Sequence, residues 1–260
     1  MIVKKAMLID VSKCMACRAC QVACKQWNQL PAEKTHFTGS YQNPPRLSAK
    51  TWTLISFIEP EEGKTRWLFR KQQCLHCTEA SCVLVCPVGA TKRREDGIVV
   101  IDQKACTGCK DCIESCPFNT PQYDPETGTV RKCTFCLDRV ENGLEPACAK
   151  ACPTGAITFG EREEMLQLAR KRQSVLAGGN PADAPRIYGE KELGGLGVMY
   201  LLPEGAPVYG LLDNPRLPIR KVVFKWIVGI VPAAAVLYGI GRYLREKKTV
   251  AGVKSDSGGA

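Results

Sequence analysis

Several kinds of chemistry have nowhere to start in this chain. It has no glycine-rich phosphate loop, no dinucleotide fingerprint and no nucleophile set beside a general base, so no substrate site of its own is legible. Nucleic-acid modules are missing too, since no RNP, zinc-finger or helix-turn-helix pattern occurs. Histidine is nearly absent: the 260 residues hold two. His36 lies in a polar loop and reads as solvated. His76 lies inside a cysteine pair whose thiols already suffice, which predicts a supporting or exposed role rather than a ligand. The first ten residues carry too short an apolar run for a secretory signal, and no twin arginine stands there.

Cysteine, by contrast, is abundant and confined. Sixteen cysteines fall into four groups of four, with none outside a group. The third group, Cys106-Thr-Gly-Cys109-Lys-Asp-Cys112-Ile-Glu-Ser-Cys116-Pro117, reads CxxCxxCxxxCP, the bacterial ferredoxin run for a [4Fe-4S] cluster. Three cysteines at i, i+3 and i+6 in a turning loop converge on one cubane. A fourth, one helical turn further on, points elsewhere and ligates the neighbouring cluster. The proline after it disfavours a helical residue before it, so the short helix stops there.

The second group runs Cys74-Leu-His-Cys77, Cys82, Cys86-Pro87. Crosswise sharing predicts one cluster on Cys74, Cys77, Cys82 and Cys116, and another on Cys106, Cys109, Cys112 and Cys86. The first group, Cys14, Cys17, Cys20 and Cys24, lacks the closing proline; Lys25 stands there, so its helix is expected to continue. In the fourth group eleven residues separate Cys136 from Cys148. Cys133-Thr-Phe-Cys136 with Cys148 and Cys152 would pass alone for a zinc site. However, Cys152-Pro-Thr-Gly-Ala156 echoes Cys86-Pro-Val-Gly-Ala90, an internal repeat. The same logic then gives Cys14, Cys17, Cys20 and Cys152 one cluster, and Cys133, Cys136, Cys148 and Cys24 the other, with one ferredoxin unit threaded through a second. A disulfide framework fits poorly, because cysteines three apart in tight runs cannot all meet bridging geometry.

The formal charge of +10 counts every thiol as neutral. Each cubane with its four thiolates carries about −2, so four contribute roughly −8 and leave the loaded chain near about +2. The basic excess therefore reads as neutralising cluster charge rather than as a nucleic-acid footprint.

The expected fold class is α+β: two interleaved 2[4Fe-4S] ferredoxin-like modules over residues 1–160 and one C-terminal transmembrane helix. Strands are expected at 6–9, 51–58, 66–70, 98–102 and 130–132, with turns at Asp96-Gly97 and residues 124–128 and a surface loop over 30–46. Trp27 reads either as a shield over a cluster or as an ordinary core residue. Residues 161–176 read as an amphipathic helix, and 177–218, dense in glycine and proline, as an irregular strap, the two making a second region at 161–218. Residues 222–241 carry Lys225 as their one charge and would span about 30 Å as a helix, one hydrocarbon thickness. Trp226, Tyr238 and Tyr243 sit where an aromatic belt would place them. A buried core helix is the alternative; the span is set at 219–245, with 246–260 a disordered tail.

The order of motifs resembles the iron-sulfur β subunits of molybdopterin oxidoreductases, and more narrowly that of membrane-bound respiratory formate dehydrogenase. The resembling stretches are Cys20-Gln-Val-Ala-Cys24-Lys-Gln-Trp-Asn28, Ser48-Ala-Lys-Thr-Trp-Thr53, Cys133-Thr-Phe-Cys136-Leu-Asp-Arg139, Glu145-Pro-Ala-Cys148, Cys152-Pro-Thr-Gly-Ala-Ile157 and residues 194–200. The resemblance implies four [4Fe-4S] clusters on all sixteen cysteines and a non-catalytic electron-transfer subunit. It also implies a molybdenum- or tungsten-pterin catalytic subunit, a membrane cytochrome b, contact with lipid, quinone as acceptor, and an extracytoplasmic cluster domain on a single-pass anchor. A hydrogenase or another molybdopterin oxidoreductase is the alternative setting, and a zinc-stabilised interaction module a remote one.

Overall fold

The chain divides into two units, residues 1–217 and 218–260. All sixteen cysteines lie in the first. A computed structural model describes residues 4–37, 39–59, 67–180, 182, 184–217, 237, 238 and 240. Among the described residues no helix is long and apolar enough to cross a membrane. The expected span at 222–241 lies outside the described residues except for 237, 238 and 240, as do the tail and the turn between the first two hairpin strands.

Strand β1 (Lys5–Asp10) delivers the chain to the first cysteine loop. Its pattern is two-sided: Met7 and Ile9 enter the main core, while Ala6 and Leu8 face a smaller apolar cluster. Helix α1 (Ala19–Trp27) buries Cys20 and Cys24 and runs past Cys24, as the missing proline predicts. The hairpin of β2 (Leu54–Ile58) and β3 (Leu68–Gln72) starts and ends a few residues later than the alternation implied. Consecutive Arg70 and Lys71 are both buried in β3, which obscures a period of two.

The central stretch holds α2 (Ser81–Leu84), the hairpin β4 (Thr91–Arg93) with β5 (Val99–Ile101), α3 (Asp111–Ser115), and the hairpin β6 (Gln122–Asp124) with β7 (Thr129–Arg131). Helix α3 stops before Cys116 and Pro117, as expected. Next come α4 (Leu137–Glu141), α5 (Ala147–Lys150) and β8 (Ile157–Glu161), which returns antiparallel to β1. Helices α1 and α5 pack together, as do α2 and α3. The helices beside the first and last cysteine groups thus pack on each other, and so do those of the two central groups. Helix α6 (Arg162–Leu176) lays Met165, Leu166 and Ala169 on Ala6 and Leu8, and the Arg172 guanidinium pairs with buried Asp10 at 3.0 Å.

The segment expected to be an irregular strap is more than that. It supplies β9 (Arg186–Tyr188) and β10 (Val198–Leu202), completing a four-stranded sheet in the order β8-β1-β10-β9. β10 runs parallel to β1, and all five of its residues are buried. A run of Val-Met-Tyr-Leu-Leu has the composition of a strand covered on both faces, but the surrounding glycines and prolines masked it. At the start of β10, the Gly197 and Val198 amides donate to the carbonyls of His76 and Leu75, at 3.0 and 3.1 Å. One strand therefore pairs with β1 and grips the Cys74 loop.

Candidate metal centres

Four short loops present the sixteen thiols, and they share a backbone form. In each CxxC pair the residue before the second cysteine has positive φ: Ala16 at 58°, His76 at 47°, Gly108 at 68° and Phe135 at 61°. Such a left-handed residue costs an ordinary side chain on the order of 1–2 kcal/mol. Its recurrence in all four loops shows that the thiol arrangement dictates the turn. Glycine is forced at one of them: a Cβ on Gly108 would lie 2.2 Å from the Gly128 carbonyl oxygen. A second form follows three of the last cysteines. Gly89, Asn119 and Gly155 lie at φ 62°, 51° and 61°, and their amides donate to the carbonyls of Cys86, Cys116 and Cys152 at 3.2–3.3 Å. The Cys-Pro-x-Gly echo thus extends to Cys116-Pro-Phe-Asn119, where asparagine replaces glycine and hides the repeat.

The loops bring together the cysteines that the crosswise pattern groups. Cys14, Cys17, Cys20 and Cys152 line one cavity, together with Ile9, Ile55 and Lys71. Burial raises the Cys14 thiol, and the charges of Cys152 and Cys17 raise it further. Cys24 is pushed up to about 12 by burial and then by Cys148, with Cys136 also acting, while Cys133 is raised by burial and by Cys24. Burial and then Cys74, Cys116 and Cys82 raise Cys77. Burial and then Cys109, Cys106 and Cys86 push Cys112 up to about 12. Cys20 and Cys82 are also pushed up to about 12, chiefly by burial. Thiolates so placed repel one another in a poor solvent, and a bound cationic core is what compensates them.

Donors are aimed at the sulfurs. Amides of Val130 and Phe135 donate to Cys106 and Cys133 Sγ at 3.4 Å, and that of Thr91 to Cys86 Sγ at 3.5 Å. Asn28 Nδ2 reaches Cys24 Sγ at 3.7 Å, and the hydroxyls of Thr120 and Thr154 lie 3.6 and 3.8 Å from Cys116 and Cys152 Sγ. At Cys86 burial alone would raise the thiol, but donors from Thr91, Ala90 and Val88 outweigh it and the net shift is downward. None of the sixteen cysteines is in a disulfide. Among the described residues no three cysteine, histidine or acidic side chains gather tightly enough to hold a single ion. A tetrahedral zinc site needs its sulfurs about 2.3 Å from one point, whereas a cubane spreads its ligands around a four-iron cage.

His76 is buried, not exposed. Its Nδ1 accepts from the Val99 amide at 3.1 Å, and its ring lies 4.3 Å from that of Phe135. Burial, then Lys132 and Lys71, hold its pKa well below the ordinary value, so the ring is neutral. His36 is exposed. Trp27 is 43% exposed and packs at the surface, not in the core. Its Nε1 donates to Asp138 at 2.9 Å and the Arg139 guanidinium covers its ring at 4.3 Å.

Two buried lysines lie beyond what the cysteine spacing reveals. Lys132 is buried and its Nζ donates to the carbonyls of Val99 and Cys133. Lys71 is 1% exposed, and its Nζ has no hydrogen-bond partner among the described residues. Burial works against its charge, but Cys148, Cys20 and Cys133 outweigh that and raise its pKa. A lysine in a strand carries no sequence signal of this kind; only the fold places it among thiols.

The 4Fe-4S dicluster domain family matches twice, over residues 13–90 and 65–162. The chain is 45% identical over 235 residues to the nitrate-inducible formate dehydrogenase iron-sulfur subunit of Escherichia coli K12, covering 88% of this chain and 79% of that protein. It is 43% identical over 243 residues to the formate dehydrogenase iron-sulfur subunit of Haemophilus influenzae, covering 91% and 77%. It is 34% identical over 281 residues to the hydrogenase-2 operon protein HybA of Escherichia coli O157:H7, covering 92% and 84%. Two dicluster domains with sixteen cysteines fit four [4Fe-4S] clusters, and the relatives are electron-transfer subunits rather than catalytic ones. Thiol grouping, loop form and likeness over most of the chain agree: it belongs to the family of formate dehydrogenase iron-sulfur subunits.

Proposed function

We propose that this chain carries electrons for a formate dehydrogenase complex through four [4Fe-4S] clusters held by the quartets Cys14, Cys17, Cys20, Cys152; Cys133, Cys136, Cys148, Cys24; Cys74, Cys77, Cys82, Cys116; and Cys106, Cys109, Cys112, Cys86. When bound, the clusters supply one-electron carriers. The residues hold them, bury them and set their surroundings through the amide and hydroxyl donors on the sulfurs.

The observation that carries this reading is how the quartets adjoin. Cys148 acts on Cys20, Cys74 acts on Cys133, and Cys112 acts on Cys82. Those electrostatic couplings support one line in which the Cys14 quartet adjoins the Cys133 quartet, then the Cys74 quartet, then the Cys106 quartet. The two end quartets have the exposed thiols, Cys17 and Cys109, as the ends of a wire require.

On this reading a pterin-containing catalytic subunit meets one end and a membrane cytochrome b, feeding quinone, meets the other. Residues 219–245 anchor the chain in the lipid as a single helix, 246–260 form a tail, and the cluster domain faces outside the cytoplasm. The likeness to HybA favours a second setting, the same wire on a hydrogenase.

The test uses complex purified anaerobically from membranes through a tag on this chain. Adding formate should bleach the visible iron-sulfur absorbance, while the isolated subunit should not respond. If only hydrogen or a reduced quinol bleaches it, the wire stands and the catalytic partner is not a formate dehydrogenase. Colourless protein holding zinc and no acid-labile sulfide would defeat the reading.

A further inference from the structure

Lys71 occupies an unusual place for a charged side chain. It lies on β3 opposite Ile55 of β2, is almost wholly buried, and lines the cavity formed by Cys14, Cys17, Cys20 and Cys152. The thiols that act on it most are Cys148, Cys20 and Cys133, so it faces two quartets at once. A buried ammonium with no partner is among the costliest arrangements a protein can keep, and such a group calls for a specific explanation. Lys132 offers the contrast, because its ammonium is satisfied by two carbonyls and serves to tie β5 to the Cys133 loop. The Lys71 backbone is fixed from the other side, where the Tyr200 hydroxyl of β10 donates to its carbonyl at 2.7 Å.

We propose that Lys71 is a fixed positive charge shared by the Cys14 and Cys133 quartets, raising the reduction potentials of the two clusters they hold more than those of the other two. The inference rests on the cluster-bearing reading above. The physical step is charge balance. Each cluster accepts one electron and becomes more negative by one unit, no proton moves, and Lys71 stays charged throughout. A cation in a low-dielectric site favours the more negative, reduced form. Its effect falls with distance, and the cysteines on which Lys71 acts most, Cys14, Cys20, Cys24, Cys133 and Cys148, belong to the first two quartets. One lysine thus shifts two adjacent carriers in the same direction. Lys71 acts through the clusters' surroundings and is a positioning residue, not a ligand.

The experiment is a redox titration of the intact tagged complex followed by electron paramagnetic resonance, with iron and acid-labile sulfide counted in each sample. Signals are assigned with Cys17→Ala and Cys136→Ala. In Lys71→Met, with full iron and sulfide, the two signals of the Cys14 and Cys133 quartets should show at least a tenfold lower reduced-to-oxidised ratio at a fixed potential. That corresponds to a shift of about 59 mV for a one-electron couple. The other two signals should move clearly less, and Lys71→Arg should stay near the wild type. A fully loaded Lys71→Met that titrates unchanged, or that moves all four signals alike, overturns the proposal while leaving the wire intact. If Lys71→Met and Lys71→Gln lose the two clusters, Lys71→Arg decides: retention upholds the charge, and loss shows that only shape mattered. A wild-type complex without iron and sulfide would overturn both the proposal and the reading beneath it.

Discussion

Cys24 and Cys152 are the most telling single side chains, because each sits at the end of a run and, on the proposed scheme, serves a quartet far from it in sequence. Replacing Cys14 or Cys152 by alanine should abolish the same resonance signal, whereas Cys24→Ala should abolish the one that Cys133→Ala abolishes. Loss of a common signal from Cys14→Ala and Cys24→Ala would defeat the crosswise scheme. The left-handed positions make an asymmetric pair of predictions. Gly108→Ala drives a Cβ into the Gly128 carbonyl and should cost about 2 kcal/mol or more, seen as early loss of iron from the Cys106 quartet on heating. Ala16→Gly, at φ 58°, should be close to neutral, since relief of about 1 kcal/mol offsets the entropy glycine brings. Equal losses from both would show that backbone form does not govern these loops.

Among the elements, β10 joins the two modules, and Gly197 at its edge is the point of closest approach. A Cβ there would stand 2.9 Å from His76 Cβ and 3.0 Å from the His76 carbonyl oxygen. Gly197→Ala should therefore destabilise the unit by about 2 kcal/mol, within the range usual for overpacking. The first symptom should be loss of the cluster on the Cys74 quartet, measured as a missing signal before global unfolding. If the variant keeps all four signals and its melting temperature, β10 is not the clamp described. This element was also the least legible in the sequence. The cysteine spacing marked the short helices beside the thiols, and the stop before Cys116 followed from proline alone. Nothing local marks β10. Its five apolar residues have meaning only beside β1, nearly two hundred residues earlier, a pairing that no short-range pattern encodes. Lys71 was hidden for the same reason, since its thiol neighbours come from the first and fourth cysteine groups, more than a hundred residues apart.

At the scale of the whole molecule, the protein gathers mostly buried or half-buried thiols that folding alone does not favour. With so many thiols raised by burial and by one another, much of the stability is coupled to metal. Removing iron anaerobically with a chelator should abolish the cooperative thermal transition of the cluster unit, and reconstitution with iron and sulfide should restore it; an unchanged transition in the iron-free chain would show that the core stands alone. The same picture explains the charge, because a chain of formal charge +10 becomes nearly neutral when loaded, by roughly eight negative charges. The central claim is that the four quartets form one line, with the Cys74 quartet the link between the Cys106 quartet and the other two. The most direct test removes that link with Cys77→Ala, confirms by iron content that three clusters remain, and follows reduction by formate in the intact complex. The account predicts a split, in which the Cys106 signal and the Cys14 and Cys133 signals no longer respond together and one side of the break stays oxidised. Reduction of all three at the wild-type rate would contradict it.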